Sequence, residues 1–192
     1  MKKGLLIAFV VLMLAGSLSA GDHPYIGIFA SPMDVEDTHS TCSISPVPFE
    51  DIFVMWIWVK PSTRGMQAVE FKLGVPTLMT LEMDYPTPDD GGQVKNPDIT
   101  IELGSLSAGI SSAFGSCQYG WTWTHKRWYT STSNAARFFQ IGPHTGSGLY
   151  QVASCELGYP LEPAVRLTHL YLYTPCVYAT KDASWGAIKS LF

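Results

Sequence analysis

The chain predicts an all-β fold, an antiparallel two-layer sandwich, on three observations. Past residue 20, apolar residues recur with period two or in short runs, and helical spacing is confined to the last few residues. The 17 glycines and 13 prolines punctuate nearly every junction between these runs. Neither an internal repeat nor a linker rich in proline or serine divides the chain, so about ten short strands belong to one domain. A closed barrel is the second architecture open to this pattern.

The first segment stands outside that domain. "MKKGLLIAFVVLMLAGSLSAGDHP" places Lys2 and Lys3 before an apolar run from Gly4 to Gly16, then small residues at Ser17, Ser19 and Ala20. That order predicts a secretory signal peptide over 1–20, cleaved between Ser19 and Gly21. The apolar run is shorter than the roughly 20 residues a bilayer span needs. No cysteine stands near the cleavage region to carry a lipid, and no transmembrane segment is expected in the mature chain.

The sandwich is expected over 21–180. "YIGIFA" puts Ile26 and Ile28 on one face. "DIFVMWIWVK" is apolar on both faces, Phe53, Met55, Ile57 and Val59 opposing Val54, Trp56 and Trp58, which predicts a central strand covered on both sides. "AVEFKLG" alternates, with Val69, Phe71 and Leu73 inward and Glu70 and Lys72 outward. "TLMTLEM" and "DITIELG" follow, the second with Ile99, Ile101 and Leu103 on one inward face. Between them "MDYPTPDDGGQVKNPD" (Met83–Asp98) reads as a long polar loop. "GISSAFG", "GWTWTHKRWY", "ARFFQIG", "GLYQVASC" and "RLTHLYLY" supply the later strands. In the tail, 181–192, "DASWGAIKSLF" spaces Trp185, Ile188 and Phe192 as on a short helical turn, weakened by Gly186. It reads as a last turn packing its Trp on the sandwich edge, or as an export or attachment signal.

Several of these stretches resemble a group of exported bacterial proteins with an immunoglobulin-like or cohesin-like β-sandwich. The similarity lies at "IGIFA" just after the signal peptide, the early Cys42, "AVEFKL", "GISSAFGSC", "VASC" and the closing "WGAIKSLF". It spans most of the mature chain in short pieces. The resemblance implies an extracytoplasmic sandwich and carries no activity. The aromatic richness of "FVMWIWV" and "GWTWTHKRW" is not part of it.

Charge narrows the partners. The 12 Lys and Arg fall to 10 once Lys2 and Lys3 are removed, against 16 Asp and Glu, so the net charge moves from −4 to −6. Phosphate binding needs a basic face, and "THKRW" is the densest basic cluster, so nucleic acid is excluded as a partner.

Four cysteines remain, Cys42, Cys117, Cys155 and Cys176. In an exported chain an even number reads as disulfides, and four cysteines allow three pairings. Sequential closure, Cys42–Cys117 with Cys155–Cys176, is the expected one. Gly115-Ser116-Cys117 also has the look of a nucleophile's setting. Yet Phe114 stands where the papain-like signature has its preceding cysteine, and Gln118 replaces the aromatic after the nucleophile. A nucleophilic cysteine also needs a base, and nothing ties His125, His144 or His169 to Cys117. No catalytic residue is assigned.

Other chemistry is equally thin. There is no C-x-x-C or H-x-x-x-H for zinc. Asp34, Glu36, Asp37 and His39, with Asp89 and Asp90, lack calcium-loop spacing. Neither a metal nor a cofactor is predicted. Glu70, Glu82, Glu102 and Glu156 are the carboxylates available for glycoside hydrolysis, and alternation reads them as surface. Gly146-Ser147-Gly148 lacks the five-residue elbow of a serine hydrolase and reads as a turn.

The "WTWTHKRW" strand is the remaining candidate. Alternation puts Trp121, Trp123 and His125 on one face and Thr122 and Thr124 on the other. If the Trp face meets water, Tyr119, Trp121, Trp123 and Trp128 form a platform for sugar rings that Tyr129 extends, and Lys126 or Arg127 is placed to cover it. The favoured alternative makes the Trp face core and the Thr face solvent. The expected function is a non-enzymatic, secreted or envelope module, structural or for interaction with a surface protein or glycan. A carbohydrate-binding module is the second choice.

Overall fold

Two sheets face each other in the computed structural model, which describes residues 22–30, 42–76, 79–81 and 93–175. In chain order the strands are β1 (Tyr25–Phe29), β2 (Ser43–Ile44), β3 (Ile52–Lys60), β4 (Met66–Gly74), β5 (Met79–Leu81), β6 (Gln93–Lys95) and β7 (Ile99–Ser105). They continue as β8 (Gly109–Gln118), β9 (Thr122–Ser131), β10 (Arg137–Gly142), β11 (Gln151–Ala153), β12 (Leu161–Pro163), β13 (Val165–Thr168) and β14 (Leu170–Leu172). The terminal helical turn, the two acidic loops, Glu82 and Cys176 lie outside the described residues.

The first sheet runs β13-β1-β3-β9, and the far edge of β9 is shared by β5 and β6. The second is built on β4. β8 and then β7 lie on one side. On the other side β10 and β11 lie end to end, with β14 and β2 beyond β10 and β12 beyond β11. The arrangement is a β-sandwich, as the period-two pattern predicts, and two edge pairings depart from the antiparallel rule. β1 pairs with β13, and β14 with β2, in parallel. The cause is that "RLTHLYLY" is one run that changes layer at His169, β13 joining the first sheet and β14 the second. It keeps its direction, and that direction decides how it meets each neighbour.

The core lies where alternation places it. Ile26, Ile28, Met55, Ile57 and Val59 point inward from the first sheet, and Val69, Phe71 and Leu73 meet them from the second. β3 is central, between β1 and β9, and is covered on both faces.

Two expectations fail at β-bulges, where one extra residue turns the later side chains over. In β7 the register slips between Ile99 and Ile101. Ile99 is buried as expected, but Ile101 is 58% and Leu103 67% exposed, and Glu102 turns inward. In β9 Trp123 pairs with Trp58 and His125 with Ile57, so Thr124 is the extra residue. The expected polar loop also holds a strand, β6, which pairs with His125–Arg127.

Candidate functional site

The β9 bulge reverses the preferred reading of the tryptophan strand. Thr122 and Thr124 face the interior, Thr124 fully buried, and Trp121 and Trp123 face outward. After the bulge His125 and Tyr129 turn inward, so neither lies on the Trp face as alternation had placed them. Lys126 and Trp128 turn outward and join it.

β3 supplies the rest of the face. Its register sets Trp58 beside Trp123 and Trp56 beside Lys126. Trp56 and Trp58 stack with centroids 6.2 Å apart, and Trp123 meets Trp56 edge-on at 5.5 Å. Phe29 from β1, Cys42 and Leu167 from β13 border the cluster. The deepest ring, Trp58, is 6% exposed, whereas Trp56, Trp121, Trp123 and Trp128 are half-buried. The face is therefore a second apolar cluster on the outside of the first sheet, partly open to water. Trp56 and Trp58 were readable only as a two-faced strand; their part in this site depends on pairing with β9.

Lys126 covers the rings. Its Nζ lies 4.7 Å from the Trp56 ring centre, 5.3 Å from Trp123 and 5.4 Å from Trp128. The negative π faces hold the ammonium where a foreign cation would otherwise bind, each contact contributing on the order of 0.5–1 kcal/mol. Arg127, the other cover the sequence offered, sits opposite core-facing Met55 instead. Tyr119, 70% exposed, stands away from these rings beside Gly65 and the disulfide.

Cys117 carries no free thiol. It is bonded to Cys155, Cα atoms 5.9 Å apart, joining the end of β8 to the loop after β11. The sequential pairing is thus corrected. β8 and β11 both pair with β4, β8 on one edge and β11 on the other, and each brings its cysteine to the tight turn at Gly65. Cys42 is disulfide-bonded as well.

The histidines have other roles. His125, fully buried, is 2.8 Å through Nε2 from Glu102 Oε2, an inter-sheet pair packed edge-on against Phe71. The hydrogen bond from His125 holds the Glu102 carboxyl below its ordinary range, against the opposing effect of burial. His144 Nδ1 accepts from the Gly146 amide within the Gly/Ser turn. His169 lies between Phe138 and Tyr171 with Nδ1 unpartnered, and burial lowers its pKa from 6.5 to about 4, with Arg166 adding to the effect.

Among the described residues, Glu70, Glu102 and Glu156 are each engaged by a different partner and do not converge as a catalytic pair would. Glu102 is engaged by His125, Glu70 accepts from Gln151 and Ser111, and Glu156 faces Arg64. An open depression of about 370 Å³ between Gly74–Pro76 and Ala136–Gln140 has no carboxylate in its lining. Among the described residues no group of three His, Cys, Asp or Glu is placed to hold a metal, and no helix is long and apolar enough to cross a membrane.

No protein-family model matches the chain, and no curated protein matches its sequence. Among solved structures it is similar to a non-cellulosomal cohesin from the hyperthermophilic archaeon Archaeoglobus fulgidus. The TM-score is 0.51 at 6% identity, covering 84% of this chain and 95% of that one. The fold is thus a cohesin-like β-sandwich.

Proposed function

We propose that the chain is an exported, non-enzymatic β-sandwich that works at the cell surface or in the envelope as a structural or interaction module. The observation that carries this is the likeness of the fold to that of a non-cellulosomal cohesin over 84% of the chain. The disulfides support an oxidising compartment, and the paired state of Cys117 removes the one nucleophile its sequence suggested. The test is fractionation with N-terminal sequencing. A chain beginning between residues 20 and 22 in the extracytoplasmic fraction is expected. An uncleaved chain with free thiols in the cytosol overturns the proposal.

A second reading, a carbohydrate-binding module, is favoured by the outward setting of Trp121, Trp123 and Trp128. Tyr119, exposed beside Gly65, is the outlying member of the proposed platform. On a glycan array, binding is expected that disappears in Trp121→Ala and Trp123→Ala with the fold intact; binding unchanged in both variants refutes it.

A further inference from the structure

The tryptophan face has a chemical bias that its apolar character hides. Indole and ammonium groups donate hydrogen bonds and accept none. The Nε1 atoms of Trp56 and Trp58 are buried there without an acceptor. Lys126 is held by three rings, and among the described residues no carboxylate is paired with it, although acidic residues outnumber basic ones 16 to 12 in the chain. The face therefore joins flat, half-buried rings to an ammonium with which no carboxylate of the described residues pairs.

We infer that this face binds an anionic saccharide, a sugar chain bearing carboxylate or sulfate groups. The inference rests on the carbohydrate-binding reading and adds its charge class. The C–H face of a sugar ring stacks on Trp121, the ring of this face that Lys126 does not cover, as flat apolar surfaces do. Its anionic group pairs with Lys126, next to low-dielectric rings that strengthen the attraction relative to bulk water. A neutral sugar would stack equally well but leave the ammonium unanswered. A polyphosphate backbone would meet one cation on an acidic protein, too few for counter-ion release to drive binding.

The test uses the purified protein with oligogalacturonate, a sulfated dextran oligomer and a neutral cello-oligosaccharide of equal length. Binding is read by tryptophan emission and by affinity electrophoresis. The anionic oligomers are expected to bind roughly tenfold more tightly than the neutral one, about 1.4 kcal/mol. Raising salt from about 20 to about 200 mM is expected to shrink that preference through screening. Lys126→Met, whose apolar stem still covers the rings, should abolish the preference, and Lys126→Arg should keep it. If only one anionic oligomer is preferred, that result assigns the anion. Equal binding of neutral and anionic oligomers, or a preference that survives in Lys126→Met, overturns the inference while the carbohydrate reading stands. No binding by any oligomer to the folded protein overturns both.

Discussion

Gly65 shows how one backbone position constrains the disulfide end of the molecule. Its φ of +73° is a left-handed conformation, and a Cβ there would lie 2.7 Å from Cys117 Sγ and 2.8 Å from the Tyr119 ring. Gly65→Ala is therefore expected to cost about 1–3 kcal/mol in thermal or denaturant unfolding. Gly120→Ala, with nothing within 4 Å of its Cβ, should stay within about 0.5 kcal/mol. Two titrating side chains contribute to the pH dependence of the stability in the acid range. His169 has a folded pKa of about 4 against 6.5, so its neutral form stabilises the fold above 6.5 and the unfolded chain takes up the proton first. Stability is expected to fall between pH 6.5 and 4, with a shallower slope in His169→Phe when melting is followed across that range. Glu102 acts lower. Its contribution is complete above the ordinary value of 4.5 and is lost as pH falls below that through its depressed folded value. Glu102→Gln should remove that part of the acid limb, and an unchanged limb would show that the pair with His125 contributes little. None of these environments was legible in the sequence, because His125 and Glu102 lie in strands of opposite sheets.

The strands themselves were largely legible. Alternation in "AVEFKLG" and the two-faced pattern of "DIFVMWIWVK" place β4 and β3 correctly, because a strand's side chains must alternate wherever its pairing is regular. It fails in β7 and β9, where Thr100 and Thr124 are extra residues and everything beyond them turns over. A bulge arises from mismatch between two partners and leaves no fixed mark in either strand. The β9 bulge also creates the candidate site, since a regular strand would put Lys126 and Trp128 on the face opposite Trp123. Deleting Thr124 leaves Trp123 opposite Trp58 and His125 opposite Ile57 in a regular ladder, with Lys126 and Trp128 still on the Trp face. The variant is expected to lose some stability with the Thr124 hydrogen bonds to Ile57 and Asn96, and to keep its tryptophan emission and near-ultraviolet circular dichroism. A folded variant with strongly shifted emission would show that the bulge itself organises the face.

Taken as a whole, the sandwich is held by a continuous apolar interior and tied across its second sheet by a covalent bond. Cys117 and Cys155 are separated by 38 residues, and closing such a loop limits the unfolded chain, so Cys117→Ser with Cys155→Ser should lower stability by about 2–4 kcal/mol. Non-reducing peptide mapping is expected to yield Cys117–Cys155 and, by elimination, Cys42 with Cys176; a Cys42–Cys117 peptide would contradict this topology. Composition and period alone carry the all-β class and the core strands, because burial of one strand face is a local, repeating demand on sequence, and they favour two layers over a closed barrel without deciding between them. The partner of each cysteine, the orientation of the tryptophans, and the meeting of Lys126 with three rings emerge only in the folded chain. Each depends on which strands lie side by side and where their registers slip, and those are relations between segments distant in sequence.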